Sequence, residues 1–374
     1  MLFQLPEIDN KVSDRKLTYT SSTDYEYTRN SILLGWNICA EYSRNNIPYD
    51  KKEYIDKIQT ININELTSYA NSFFNLSSVI VNQSFLQMWE ILMIFSIING
   101  NTLHINEIDG GFVNAMIVFQ KLYGKSSNQY KYCIMLGDKG DFDCLSDSSQ
   151  LTILRNKSNT KNFIKKLSKF EHKVNLITLN AFDNTEQSSY SLISNSIVAC
   201  LLHMNINGCM VIKLNNIYTF ITAKLLFIIK QMFTNIMIYI PDTIEFLSPY
   251  KFIVCLDYKK NNINVDNFIN MCEGINEMTD DILPSLTLES SFIGTLSFIN
   301  ITQYTNEYKQ YLSVIKYLND KQYYGSIYDE MVNQQTVNTN KWKDKYLAKE
   351  SEITNKQTEI KNYYNKNIIL YNEQ

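Results

Sequence analysis

Short apolar runs alternate with longer amphipathic stretches through the middle of the chain, from about residue 100 to residue 260. This alternation is typical of βαβ units, in which helices connect the strands of a parallel sheet. We therefore expect an α/β fold with a mostly parallel central sheet flanked by helices. The runs predict strands at 102–106, 131–136, 174–179, 208–214, 235–240 and 251–257, and helices at 112–123, 187–204 and 218–232.

The two ends of the chain follow a different pattern. Residues 1–62 are polar and rich in tyrosine, and they predict an N-terminal extension with a helix at 28–44. The segment SFLQMWEILMIFSII is apolar around its whole circumference, which predicts a helix buried on all sides. A core domain is expected at 63–262 and a helical C-terminal extension at 263–374. The charged last forty residues predict a solvated helix or a partner-binding tail.

Composition limits the kind of partner that the protein binds. Hydrophobic residues make up 45% of the chain, which indicates a globular protein, and the formal net charge is −3. A domain that grips nucleic acid along its length is usually basic, so any RNA contact is expected to be local. The one concentrated basic run is a candidate for that contact or a solvated helix face, and it contains Lys161, Lys165, Lys166, Lys169 and Lys173.

Targeting signals and metal-ligand motifs are not predicted. The first residues lack a basic region followed by an apolar one, and no apolar run reaches the roughly 18 residues of a membrane span, which favours a cytoplasmic location. The seven cysteines form no CxxC pair, and the three histidines fall on different elements. We therefore expect no metal site.

The segment LHINEIDGGFVNAM, residues 103–116, carries the most chemical information. It predicts a strand, an acidic residue, two glycines and then a helix. Paired glycines at such a turn let a ligand approach the backbone and the helix N-terminus closely. The alternative is that Gly110 and Gly111 only form a tight turn.

Four segments in order resemble the FtsJ/RrmJ family of S-adenosylmethionine-dependent RNA ribose 2′-O-methyltransferases. The helix containing QMWE and the turn EIDGGF resemble the family's Lys-Leu-Trp-Glu helix and E-x-P-G-G-F turn. VNLITLNAF, GCMVIKL and YKFIVC resemble its later strands. Extra helices at both ends are similar to those of FtsJ-like proteins from large cytoplasmic DNA viruses. The resemblance implies a Rossmann-like methyltransferase fold, with cofactor-binding positions at Glu107, Asp109, Gly110, Gly111 and Phe112.

The family's catalytic tetrad, Lys-Asp-Lys-Glu, is not retained. Its positions fall on Gln87, Asn180, Lys213 and Tyr250, so only the second lysine is kept. A ribose hydroxyl is a poor nucleophile, and a lysine that takes its proton needs carboxylates to set charge and orientation. Lys213 is expected to lack such a charge network. The nearby Asp183, Glu245 and Lys251 would need a register slip, which turns a side chain to the opposite face of the sheet.

The cofactor site also departs from the family pattern. Asp109 replaces the proline of the glycine-rich turn, and its carboxylate is expected to repel the carboxylate of S-adenosylmethionine. Glu107 matches the family's acidic residue. Asp138 and Asp141 are candidates for contacts with the ribose or adenine by proximity alone. S-adenosylmethionine therefore remains only a candidate cofactor.

The leading hypothesis is a catalytically degenerate methyltransferase-like domain, because function depends on the site and not on the sheet. It predicts a non-catalytic binding, scaffold or activating subunit of mRNA capping or transcription machinery, similar to the silent subunit of poxvirus-type capping enzymes. A protein partner is implied, in the host cytoplasm or the virion if the protein is viral. The alternatives are an active cap 2′-O-methyltransferase with an altered tetrad and a structural or virion-associated protein.

Overall fold

A computed structural model gives the structure of most of the chain. It describes residues 1–12, 15, 17–21, 59–76, 80–97, 100–124, 130–136, 150–155, 160–181, 186–215, 217–244, 248, 250–259, 261–276, 279–320 and 325–370. The predicted helix at 28–44 and the candidate residues Asp138, Asp141, Asp183 and Glu245 lie outside these ranges.

Ten strands are found in the described part of the chain. In chain order they are β1 (Leu2–Gln4), β2 (Tyr19–Ser21), β3 (Thr102–Glu107), β4 (Tyr132–Leu136), β5 (Leu151–Arg155), β6 (Val174–Ala181), β7 (Met204–Leu214), β8 (Phe233–Tyr239), β9 (Lys251–Tyr258) and β10 (Thr279–Ile282). Eight of them form the central sheet, while β2 and β10 form a separate antiparallel pair.

The order of strands in the central sheet is β1-β8-β9-β7-β6-β3-β4-β5. The strands from β3 to β7 are parallel, and β9 is inserted antiparallel between β7 and β8. Without β1, the seven remaining strands have the order 3-2-1-4-5-7-6 with the seventh reversed. This arrangement is the Rossmann-like methyltransferase fold, so the predicted fold class is confirmed.

Ten α-helices of the described chain surround the sheets. They are α1 (Ile63–Phe73), α2 (Gln83–Phe95), α3 (Gly111–Tyr123), α4 (Thr160–Leu167), α5 (Tyr190–His203), α6 (Phe220–Met232), α7 (Val265–Gly274), α8 (Ser290–Asp320), α9 (Ser326–Tyr346) and α10 (Ile353–Lys366). Helices α1, α2, α3, α9 and α10 pack on one face of the central sheet, and α4 to α8 pack on the other. None of the helices in this part of the chain is long and apolar enough to cross a bilayer.

Helix α2 is buried on nearly all sides, as its sequence predicts. Asn82 caps its start by accepting a hydrogen bond from the Phe85 N–H at 2.8 Å. Trp89 stacks on Phe85 and donates its indole N–H to the Tyr346 carbonyl at 2.9 Å. The helix therefore forms the shared core between the sheet and the C-terminal helices.

Both terminal regions contribute to the same core. Strand β1 pairs with β8 at one edge of the sheet, and Ile369 forms a parallel bridge to Phe3 on its outer side. Helix α10 packs against α2 and buries Ile360 and Tyr364. The charged C-terminal residues thus lie on helices with one solvated face and one docked face, and the division at residues 62 and 262 stays a prediction.

The predicted elements differ from the structure at several places. Strands β1, β2 and β10 were not predicted, and β10 lies within the C-terminal extension that was predicted to be helical. Strand β7 begins at Met204, four residues before its predicted start, and α5 ends at His203. Strand β5 was not predicted, because it forms the edge of the sheet and has few buried positions. Its Ile153 is 55% exposed, so the segment lacks the continuous apolar run of a central strand.

Candidate functional site

The turn after β3 carries the expected cofactor-binding positions. Gly110 has a φ of 72°, in the left-handed region that favours glycine, and α3 begins at Gly111. A Cβ atom at Gly111 would lie 2.5 Å from the Asn82 Oδ1 atom and 2.7 Å from the Phe85 backbone nitrogen. Both glycines therefore have structural reasons to be present, one conformational and one from close packing against α2.

Asp109 ties this turn to the start of α2. Its carboxylate accepts hydrogen bonds from the Ser84 hydroxyl at 2.7 Å and from the Gly111 N–H at 3.0 Å. Asn82 also donates to the Asp109 carbonyl at 3.0 Å. The N-terminus of α3, where the helix dipole favours an anion, is thus capped by the carboxylate of Asp109. Phe112 points into the core and packs against Phe252, with ring centroids 5.9 Å apart.

Glu107 is buried at the carboxyl end of β3. One of its carboxyl oxygens, Oε1, has no hydrogen-bond partner among the described residues. Burial raises the pKa of Glu107 to about 8 and the charge of Asp109 adds to the effect, while the N–H groups of Ile108 and Gly110 and the charge of Lys213 oppose it. Glu107 is therefore protonated in a large fraction of molecules near neutral pH.

The four positions that resemble the catalytic tetrad come together at the carboxyl edge of the sheet. Gln87 of α2 donates to the Tyr250 hydroxyl at 2.8 Å, and its carbonyl oxygen accepts from Lys213 Nζ at 3.3 Å. The Lys213 ammonium lies 4.1 Å from the centroid of the Tyr250 ring. Asn180 is opposite Lys213 in the register between β6 and β7. All four side chains are buried.

Lys213 has a charged neighbour, Glu107, that the sequence did not predict. Its ammonium is close enough to Glu107 to lower the pKa of that carboxyl group, and it is held by an amide oxygen and an aromatic face. The sequence missed this relation because Glu107 was assigned to the cofactor turn. The two residues lie on β3 and β7, which are separated by β6 in the sheet.

Lys251 does not join this cluster. In the antiparallel register of β7 and β9, Lys213 lies opposite Phe252 and Leu214 lies opposite Lys251. Residues directly opposite share a face of the sheet, so Lys213 and Lys251 point to opposite faces. Lys251 donates to the Asn215 carbonyl at 2.8 Å.

The basic run is only partly available to a ligand. Lys161 pairs with Glu273 at 2.9 Å, Lys166 donates to the Arg155 carbonyl, and Lys173 donates to the Leu202 carbonyl at 2.6 Å. Lys165 and Lys169 are exposed. The segment therefore holds α4 to its neighbours and presents part of its charge to solvent.

A second polar cluster, centred on Glu90, was not singled out from the sequence. Glu90 lies one turn after Gln87 and accepts hydrogen bonds from the Tyr239 and Thr243 hydroxyls, the Asp242 and Thr243 N–H groups, and the Trp342 indole. The sequence signal for this cluster is the single carboxylate of Glu90 in an otherwise apolar helix, because a buried charge requires hydrogen-bond partners. No group of metal-ligating side chains occurs among the described residues.

The chain thus has the Rossmann-like methyltransferase fold. The side chains of Gln87, Lys213 and Tyr250 meet at the carboxyl edge of its sheet. No protein-family model matches the chain. An uncharacterized protein of Acanthamoeba polyphaga mimivirus is 24% identical over 354 residues, which span 91% of this chain and 89% of that protein.

Two methyltransferase structures are among those similar to the chain. An rRNA methylase from Streptococcus thermophilus has a TM-score of 0.30 and 12% identity, and the match covers 46% of this chain and 95% of that chain. An O-methyltransferase family protein from Burkholderia thailandensis has a TM-score of 0.31 and 8% identity, with coverage of 61% and 72%. The order of strands in the central sheet, and not these TM-scores or identities, defines the fold.

Proposed function

We propose that this protein is a catalytically degenerate methyltransferase-like domain that serves as a non-catalytic binding or activating subunit in mRNA capping or transcription. The observation that carries the proposal is the buried cluster of Gln87, Lys213 and Tyr250. At the three altered tetrad positions, two amides and a phenol stand where the resemblance to the FtsJ/RrmJ family expects a lysine and two carboxylates.

The chemistry of the cluster argues against activation of a hydroxyl nucleophile. An amide oxygen at 3.3 Å and an aromatic face at 4.1 Å both stabilise Lys213 as an ammonium ion, which has no lone pair to accept a proton. Loss of general-base function alone lowers a rate by about 10²- to 10⁴-fold. Lys213 is also only 7% exposed, which restricts access by a ribose hydroxyl.

The turn after β3 does not fit the carboxylate of S-adenosylmethionine. Asp109 accepts the Gly111 N–H at the start of α3, so the protein supplies its own anion where a cofactor carboxylate needs a donor. The unpartnered Oε1 atom of Glu107 is able to accept a hydrogen bond from a ligand. One acceptor beside a second carboxylate favours weak binding of the cofactor or none.

Titration calorimetry with S-adenosylmethionine and methyl transfer to capped RNA test the proposal. We expect no methyl transfer and a cofactor affinity too weak to measure at micromolar protein. The variant Asp109→Asn removes the charge and serves as a matched test of the turn, because its carboxamide oxygen still accepts from Gly111. Methyl transfer by the unaltered protein would overturn the proposal, whether or not Asp109→Asn changes cofactor binding.

An active RNA 2′-O-methyltransferase is the second candidate, and one observation favours it. The charge of Lys213 lowers the pKa of the buried Glu107 at the edge of the sheet, where the four tetrad positions converge. In this case the Lys213→Met variant abolishes methyl transfer to capped RNA while the fold is retained. Under the leading proposal, neither protein shows activity.

The activating role predicts a protein partner and, more weakly, RNA. Purified protein is expected to bind a cap-processing enzyme and to increase its turnover, as measured by cap formation on a triphosphate-ended RNA. For RNA, Lys165 and Lys169 are the exposed members of the basic run. The Lys165→Gln, Lys169→Gln double variant should weaken RNA retention in a mobility-shift assay, with Lys349→Gln as an exposed control outside the run.

A further inference from the structure

A concavity separate from the tetrad-like cluster lies between the loop that follows β8 and helices α9 and α10. Its volume is about 610 Å³, which is within the roughly 300–1,000 Å³ of small-molecule sites. Most of its wall is apolar and comes from five separate segments of the chain. Besides Met1 and Tyr363, the apolar side chains are Ile61, Ile240, Pro241, Ile244, Trp342 and Ile360.

The wall of this cavity is held in place by the Glu90 cluster. Trp342 donates its indole N–H to Glu90 at 2.9 Å, and the Asp242 N–H donates to the same carboxylate at 2.9 Å. Five of these six apolar wall residues are buried in the folded chain. The cavity is therefore preformed, and a ligand does not need to order its walls.

The charged side chains at the cavity carry one excess positive charge. Met1 also lines the cavity, where its α-amino group donates to the Ile240 carbonyl at 2.8 Å and burial lowers its pKa. Lys345 pairs with Asp242 at 3.1 Å, and Lys356 pairs with Glu359 at 3.6 Å. Lys341 is the third lysine of the lining, and it makes no ion pair with the described residues. An apolar wall with one uncompensated cation complements a molecule that has an apolar body and one negative charge.

We propose that this cavity binds a small amphipathic monoanion, with its apolar body against Trp342 and Ile360 and its anionic group held by Lys341. The site does not depend on the proposed function and uses none of the tetrad-like residues. It is nevertheless connected to them, because the Thr243 carbonyl in the loop beside the cavity accepts from Gln83 at 2.8 Å and from Gln87 at 3.4 Å. An occupant would stabilise the loop that positions Gln87.

Titration calorimetry of the full chain with dodecanoate, below its micelle concentration, tests the site. Dodecyltrimethylammonium, which has the same alkyl chain and the opposite charge, is the ligand control. We expect one dodecanoate per chain and at least about tenfold weaker binding of the cation. The Lys341→Gln variant should weaken dodecanoate binding by roughly three- to tenfold, and Lys349→Gln, which alters an exposed lysine outside the cavity, should not.

A pair of tryptophan substitutions on α9 separates this cavity from any other apolar surface. Asn338 lines the cavity, whereas the adjacent Val337 does not and is 45% exposed. Asn338→Trp should abolish dodecanoate binding, and Val337→Trp should preserve it, with both variants showing the far-ultraviolet circular dichroism of the unaltered protein. Equal binding of the two ligands, equal effects of the two tryptophans, or no binding at all would overturn the proposal.

Discussion

Glu90 and Glu107 are both buried carboxyl groups, yet their surroundings differ sharply. Five donors from three segments of the chain point at Glu90, at distances between 2.5 and 3.0 Å. Glu107 has one oxygen without a hydrogen-bond partner in the part of the chain that the structure describes. The hydrogen bonds of Glu90 hold separate segments together, whereas those of Glu107 are incomplete. Buried polar atoms without a partner are typical of sites that bind or once bound a ligand.

The pKa values of both groups are raised. Burial and then Asp242 raise the pKa of Glu90 to about 7, and burial and then Asp109 raise that of Glu107 to about 8, from an ordinary value of 4.5. A carboxyl group whose pKa is higher in the folded state favours folding when protonated. Each group therefore contributes most stability below about pH 4.5, and that contribution falls as the pH rises to about 7 for Glu90 and about 8 for Glu107.

The largest effect is expected at Glu90. Glu90→Ala removes the acceptor of the buried Thr243 and Trp342 donors and leaves the Tyr239 hydroxyl only the more distant hydroxyls of Tyr346 and Tyr364. This change should lower the free energy of unfolding by about 3–5 kcal/mol. Urea denaturation at neutral pH measures this loss, with Glu330→Ala on the exposed surface of α9 as the control. A loss below about 1 kcal/mol would mean that the Glu90 cluster does not hold α9 and the loop after β8 to the core.

A smaller loss is expected at the glycine that joins the Glu107 turn to α2. Gly111→Ala places a methyl group 2.5 Å from the Asn82 Oδ1 atom and 2.5 Å from Ser84 Cβ, which should cost about 2–3 kcal/mol in a packed interior. Gly110→Ala places an alanine in the left-handed backbone conformation and should lower the free energy of unfolding by about 1 kcal/mol. The order of these two costs in urea denaturation tests the view that packing, not a ligand, requires Gly111; the reverse order would contradict it.

The tetrad-like cluster should contribute less than the Glu90 cluster. Tyr250→Phe removes the acceptor of the 2.8 Å hydrogen bond from Gln87, while Thr243 still offers a weaker one at 3.4 Å. We expect a loss of about 1 kcal/mol, measured by thermal or urea unfolding. Tyr123→Phe, which removes a hydroxyl that donates to the Ala348 carbonyl at 2.6 Å, is a matched control outside the cluster. If Tyr250→Phe lowered the free energy of unfolding as much as Glu90→Ala, the tetrad-like cluster would be as important for stability as the Glu90 cluster.

Sequence reasoning located the central strands because a strand covered on both faces has an almost continuous apolar run. It missed β5, which lies at the edge of the sheet. It also missed the docking of α9 and α10, since Trp342, Tyr346 and Ile360 are spaced among charged residues and their burial depends on contacts with α2.

For the candidate site, the resemblance brought together Gln87, Asn180, Lys213 and Tyr250, and the structure places these residues side by side. The hydrogen bond from Ser84 to Asp109 and the effect of the Lys213 charge on the pKa of Glu107 were not predicted. Both depend on how separate elements meet in space, and the Glu90 cluster likewise joins residues about 150 and 250 positions apart. No pattern local to one segment contains that information.

Glu107→Gln is expected to lower the free energy of unfolding least of these variants, and above pH 4.5 it should raise it. The unpartnered Oε1 atom contributes no hydrogen bond that the substitution removes, so the two proteins should agree within about 1 kcal/mol at pH 4.5. As the pH rises, folding of the unaltered protein increasingly opposes ionisation of Glu107, whereas the amide does not titrate. The variant should therefore become the more stable protein, with a difference that grows up to about pH 8 and then levels off. Urea denaturation at a series of pH values measures this difference. A difference that shrinks with rising pH would show that Glu107 is held as a carboxylate, paired with Lys213 in the manner that an active site requires.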